Sequence, residues 1–255
     1  MATQLNYGNW IRRRKLVILG VCTLSAGLLI FLPLGFYRII PTFLFFILLI
    51  SFLLPLYAYV MFSQAGGKFQ ERIYHLILQN LGTNGNSKIL DIGSGNGVLA
   101  VKAAQQNTEA EVTGVDYWGS DWEYSKGVCE QNARIAGVTN RVHFQKGDAA
   151  ALNFTAGAFD GAISNLTFHE VRSVADKREV VQEALRVIKP GGRFAFVDYF
   201  FDPKFYGKAS EFEEYLNGLK ISQFEYKMLR DVMVIPILLK HPKMLGKVGI
   251  IYGRK

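Results

Sequence analysis

The chain has 255 residues, half of them apolar, and a formal net charge of +8, which leaves room for one α/β domain with a short appendage, so no second catalytic domain is expected. Residues 1–67 hold five basic and no acidic groups, residues 68–219 hold 16 basic and 19 acidic, and residues 220–255 hold eight basic and two acidic. The slightly acidic middle lacks the basic footprint that a phosphate backbone requires, so no nucleic-acid partner is expected, whereas basic ends suit an anionic bilayer surface.

In chain order, the first feature is a pair of apolar runs. No charged residue occurs from Leu16 to Tyr37 or from Ile39 to Gly67, and each run is long enough to cross a hydrocarbon core of about 30 Å as a helix. They predict a membrane anchor over residues 1–66, with two transmembrane helices at about 16–37 and 40–62. The turn between them lies around Arg38, flanked by Pro33 and Pro41. Arg12, Arg13, Arg14 and Lys15 precede the first run, and Lys68 and Arg72 follow the second. Basic flanks stay on the cytoplasmic side, so both termini and the domain at 67–255 are expected there, in a multi-pass membrane protein. The second apolar run argues against a cleaved signal sequence. The sequons at Asn153 and Asn165 are then expected to be unmodified. Cys22 and Cys129 have no metal-ligand spacing and are expected to be packing residues.

Beyond the anchor, Phe69, Ile73, Leu76, Ile77 and Leu81 recur at helical spacing and predict a helix over 67–81. Strands are then predicted at 88–92, 111–116, 142–145, 159–164 and 193–200, alternating with helices at 98–106, 122–136 and 175–188. That alternation implies a parallel sheet wrapped by helices, with ligands at the carboxyl ends of its strands. A helix at 211–219, a strand within 224–235 and a last strand at 248–252 follow. Residues 236–247 mix apolar side chains with Lys240, Lys243 and Lys247. They read as an apolar loop packed on the domain, with an interfacial patch as the alternative.

The most informative motif is Asp91-Ile-Gly93-Ser94-Gly95-Asn-Gly97, between a predicted strand and a predicted helix. Alternate glycines let a backbone turn tightly and approach a ligand closely, and the following helix offers its amide end. This segment resembles the nucleotide loop of class I S-adenosylmethionine-dependent methyltransferases, and the resemblance extends over about residues 70–255. Gly114-Val-Asp116 matches the second strand, where the family places an acid for the ribose hydroxyls. Gly147-Asp148-Ala149 matches the adenine-binding turn. Phe159 to Asn165 matches the fourth strand, whose end faces the methionine and the substrate. Leu185 to Phe194, with Pro190-Gly191-Gly192, matches the approach to the fifth.

The resemblance implies a Rossmann-like, mostly parallel seven-stranded sheet and S-adenosyl-L-methionine as cofactor. The residues expected to hold it are Asp91, Gly93, Ser94, Gly95, Gly97, Asp116, Asp148, Ala149 and Asn165. Tyr117 and Trp118 lie where aromatic rings would cover the adenine or pack at the sheet edge, and they depart from the small residue common in the family there. His169 and Glu170, shortly after the fourth strand, are the expected general-base candidates, with Asp198 and Tyr199 a second set. A small acceptor that resides in the membrane or is amphipathic, such as a lipid headgroup or a quinone-like ring, follows from the anchor. Two rivals remain at this point. Gly95-x-Gly97-x-x-Ala100 with Asp116 also fits a nicotinamide-dinucleotide oxidoreductase, and a non-catalytic membrane scaffold could retain the fold.

Overall fold

The structure is a computed structural model that describes residues 4–120 and 123–255. The chain divides into two compact units: one spans Gly8–Glu71, and the other joins the preceding residues to Arg72–Lys255.

The first unit is a helical hairpin. Helix α1 covers Arg13–Leu29 and α2 covers Ile39–Phe62, with a 3-10 turn at Gly35–Arg38 leading into α2. Small residues let the two helices approach, since Gly20 faces the Phe52 ring and Gly27 the Phe45 ring. The first predicted span is corrected here. Instead of running from 16 to 37, α1 stops at Leu29, because Pro33 lacks an N–H and disfavours helical geometry just before it. Its 17 residues reach about 25 Å at ~1.5 Å per residue, and Arg13, Arg14 and Lys15 occupy its first turn. Only one helix among the described residues is long and apolar enough to cross a membrane: the continuous stretch Gly35–Phe62, which contains an 18-residue window of mean hydropathy 2.6.

In the second unit, α3 (Phe69–Leu81) leads into the sheet, burying Ile73, Ile77 and Leu81 along one stripe. Strands β1 (Lys88–Ile92), β2 (Glu111–Asp116), β3 (Val142–Lys146), β4 (Phe159–Asn165) and β5 (Ile188–Asp198) are parallel. Helices α4 (Val98–Gln106), α5 (Lys126–Ile135) and α6 (Lys177–Arg186) alternate with them. The predicted start of α5 at Trp122 lies outside the described residues. Ser125 caps α5 by accepting from Val128 N, and Asp176 caps α6 by accepting from Arg178 N, as short polar side chains do at helix starts.

Short helices α7 (Pro203–Tyr206) and α8 (Ala209–Asn217) follow, then β6 (Gln223–Met228), α9 (Leu229–Val232) and β7 (Gly249–Arg254). Strand β7 is antiparallel to both β5 and β6. The order β3-β2-β1-β4-β5-β7-β6 completes a seven-stranded mixed sheet. One boundary differs from expectation around the Pro-Gly-Gly segment. Strand β5 begins at Ile188 rather than 193, and its register against β4 jumps from Phe159↔Ile188 to Gly161↔Arg193. Residues 189–192 therefore bulge out of a strand instead of preceding it. The apolar side of β4 and β5 packs against α6 and α8 through Phe168, Val181, Leu185, Phe196, Phe200 and Phe212.

Candidate active site

The strand order reverses between β1 and β4, and open α/β sheets bind ligands at such a switch point, beyond the carboxyl ends of the strands. The loops after β1 and β4 meet there. Thr167 lies so close to Gly93 that a Cβ added to Gly93 would fall 1.9 Å from Thr167 Oγ1. Gly93, Gly95 and Gly97 have φ of 78°, 56° and 74°, a region that costs other residues strain. The loop is pinned from below: Gly93 N and Ser94 N both donate to Val115 O, at 2.7 and 3.1 Å.

The carboxylates hold this loop in shape. Asp91 is buried, and its Oδ2 accepts from Ala100 N in the first turn of α4 at 3.2 Å. Burial, opposed by the Ser94 hydrogen bond and reinforced by the charge of Asp116, pushes its pKa up to about 7. Asp116, at the tip of β2, accepts from Gly95 N (2.8 Å) and Trp118 N (2.7 Å) on different oxygens. Burial raises its pKa against those backbone donors. Each carboxylate oxygen retains a second lone pair, so Asp116 can still accept two further hydroxyls.

Asp148 Oδ1 accepts from Ala150 N at 2.9 Å, and Ala149 is buried beside it. Trp118, at φ 43°, turns its indole N–H onto Gly95 O at 2.8 Å. Cys129 Sγ–H reaches the same oxygen at 3.2 Å. Tyr117 is exposed, with Lys146 Nζ 5.1 Å from its ring centre. The two aromatic rings thus have separate settings, one laced into the glycine loop and the other on the surface.

A clasp that the sequence reading missed adds to this loop. Buried Asn132 donates from Nδ2 to Asn96 O (2.8 Å) and Asn6 O (2.9 Å), while its Oδ1 accepts from Asn6 N (2.8 Å). The segment before the hairpin is thereby tied to the glycine loop through one amide. No periodicity or motif marks such a contact across 126 residues.

At the ends of β4 and β5 the two sets of predicted acid–base residues converge. Asn165 pairs with Val197 in the sheet, so Asp198 stands one residue beyond the last pair, and a 3-10 turn at Phe168–Glu170 swings His169 over it. His169 Nδ1 lies 2.7 Å from Asp198 Oδ1. Asp198 has no exposed surface and accepts three backbone N–H groups, from Phe168 (2.7 Å), His169 (3.3 Å) and Tyr199 (2.6 Å). That arrangement favours the Nδ1–H tautomer and leaves Nε2 as the acceptor. Glu170 Oε1 is 3.7 Å from Nε2. Burial lowers the pKa of His169, but the charge and hydrogen bond of Asp198, with Glu170, outweigh it and the net shift is upward. Tyr199 and Phe205 pack their rings 4.7 and 5.4 Å from the imidazole centre.

S-adenosylmethionine fits this donor and acceptor set. Among the described residues, Asn96 Oδ1 and Asn165 Oδ1 are buried without a hydrogen-bond partner, and buried polar atoms are seldom left unpaired. The cofactor's ammonium and hydroxyl donors suit those oxygens and Asp116, and its sulfonium suits the acidic surroundings.

The methyltransferase-domain family matches residues 83–232. The ribosomal RNA large subunit methyltransferase G of Magnetococcus marinus is 34% identical over 125 residues, covering 48% of this chain and 32% of that protein. The ubiquinone/menaquinone biosynthesis C-methyltransferase UbiE of Geotalea daltonii is 30% identical over 115 residues, covering 45% of this chain and 46% of that protein. The chain thus spans less than half the length of either relative. Among solved structures, the geranyl diphosphate C-methyltransferase of Streptomyces coelicolor superposes with a TM-score of 0.54 at 15% identity, covering 73% of this chain and 78% of that one.

Proposed function

Because the chain belongs to the class I S-adenosylmethionine-dependent methyltransferase family, we propose that it methylates a protonated acceptor dissolved in, or lying on, a membrane. The observation that carries this reading is the His169–Asp198 pair at the ends of β4 and β5. A methyl donor needs a base only when the nucleophile arrives with its proton. The pair therefore suits a hydroxyl, or the activated carbon of a phenolic ring, better than a free amine or thiolate. The Geotalea daltonii relative is named for quinone biosynthesis, which is consistent with a ring of that kind.

The cofactor supplies a methyl carbon activated by a positive sulfonium. Asp116 would hold the ribose hydroxyls, Asp148 and Ala149 would border the adenine, and the Gly93–Gly97 loop would take the methionine end. Trp118, bonded to Gly95 O, would close the nucleoside side, and Asn165 would face the donor group. Holding acceptor and donor in line supplies most of the rate, since orientation alone is worth about 7–11 kcal/mol. His169 Nε2 takes the acceptor's proton, and Asp198 holds the resulting imidazolium.

The membrane half of the reading rests on Gly35–Phe62, whose side chains are mostly outward and apolar, and on the basic residues flanking the hairpin. In this arrangement both termini and the catalytic body face the cytoplasm. The test is transfer of tritiated methyl from the cofactor in native membranes supplemented with the full chain. Label is expected in the organic-extractable fraction and absent with His169→Ala. Label confined to water-soluble metabolites would refute the membrane-resident acceptor.

A further inference from the structure

We propose that the loop between β6 and β7 is a second, interfacial membrane contact, which presses the acceptor side of the site against an anionic leaflet. The proposal rests on the membrane reading above. Gly249 pairs with Asp198 on one side and with Met228 on the other, so the chain from Leu229 to Val248 emerges at the same sheet edge as the His169–Asp198 pair. It is fastened to that edge: Phe201 N donates to Lys247 O (3.1 Å), Lys247 Nζ reaches Asp202 Oδ1 (3.1 Å), and Leu229 N donates to Val248 O (2.9 Å).

Its apolar residues divide into two sets. Ile235, Leu239 and Leu245 are buried as anchors, while Val234, Ile237 and Leu238 are 86%, 78% and 51% exposed. Hydrogen bonds from Leu239 N to Pro236 O and from Leu245 N to Leu239 O, both 2.9 Å, fix the fold of the loop. The exposed side chains are thus held outward by a built structure. Around them stand exposed Lys240 and Lys243, while Arg230 is paired with the exposed Asp231 (3.9 Å), and no acidic residue occurs from Val232 to Lys255. An apolar tip within a basic rim matches the chemistry of the headgroup boundary of an anionic bilayer. Alone such a patch is small. On a chain already tethered to the same membrane, its local concentration makes weak insertion sufficient.

The expectation that residues 236–247 simply pack on the domain therefore holds for Leu239 and Leu245 and not for Ile237 and Leu238. The test uses the full chain in vesicles, in a Cys22→Ser background where Cys129 is buried. A fluorophore is placed in turn at Ile237→Cys, at Ile47→Cys in α2, and at Ser222→Cys. Ser222 precedes β6 at the opposite sheet edge. Quenching by doxyl lipids is read in phosphatidylcholine with phosphatidylglycerol and in phosphatidylcholine alone, on samples that bind S-adenosylhomocysteine. Position 47 is expected to be quenched in both. Position 237 is expected to be quenched several-fold more than 222, with the excess lost when the anionic lipid is omitted; Leu238→Cys gives a second reading of the same tip. Position 237 behaving like 222 while 47 is quenched overturns the loop proposal and leaves the anchor standing, as an acidic protein partner would require. Neither 47 nor 237 quenched overturns both.

Discussion

Replacing Asp116 with Ala is expected to weaken binding of S-adenosylhomocysteine by about 10²-fold to 10⁴-fold, the largest loss at any one position of the cofactor slot. Two ribose hydroxyls donating to one carboxylate make charge-assisted bonds of about 1.5–3 kcal/mol each, and ~1.4 kcal/mol is a factor of ten. The substitution also strips Gly95 N and Trp118 N of their acceptor, so the loop keeps only its bonds to Val115 O from β2. Asp116→Asn keeps acceptor capacity at one atom and should fall between the two. Calorimetric titration, with a thermal melt of the ligand-free protein to show that the fold persists, measures the effect. Affinity within a few-fold of the unsubstituted chain would remove Asp116 from the site.

The second large effect is kinetic. His169→Ala should lower kcat by about 10²-fold to 10⁴-fold, the usual contribution of a positioned general base, and should leave S-adenosylhomocysteine affinity unchanged. The pH profile tests the role more sharply. A base acts in its neutral form, and the pKa of His169 is raised by Asp198, so the rate should climb with pH through an inflection above the ordinary histidine value of about 6.5. Asp198→Asn removes the charge and should move that inflection down while lowering the rate. A merely structural role for Asp198 would reduce activity without moving the inflection. An unchanged profile in His169→Ala would assign the proton to another group.

What the sequence disclosed, and what it withheld, follows from how local each feature is. The glycine loop was legible because turn geometry and strand and helix flanks all lie within about fifteen residues, and the central strands were legible as short apolar runs between punctuating residues. His169 and Asp198 were each visible, but their partnership was not, since it depends on the register of β4 against β5 over a separation of 29 residues. The Asn132 clasp on Asn6 is more remote still. The helix expected at 16–37 is shorter for a local reason that composition hides: hydropathy counts both Pro33 and Pro55 as tolerable in apolar runs, but Pro55 is carried inside α2 whereas Pro33 offers no N–H to continue α1 past its end. Residues 236–247 could not be resolved from sequence because only Leu239 and Leu245 are buried there, isolated among exposed and half-buried neighbours, so no run of either period forms.

The most direct test of the account is an experimental structure of the full chain with S-adenosylhomocysteine bound. The account predicts the ribose hydroxyls on Asp116, the amino-acid end against the glycine loop, and the sulfur turned toward His169 Nε2. Ribose hydroxyls bound elsewhere, or a sulfur facing away with His169 sealed behind protein, would contradict it.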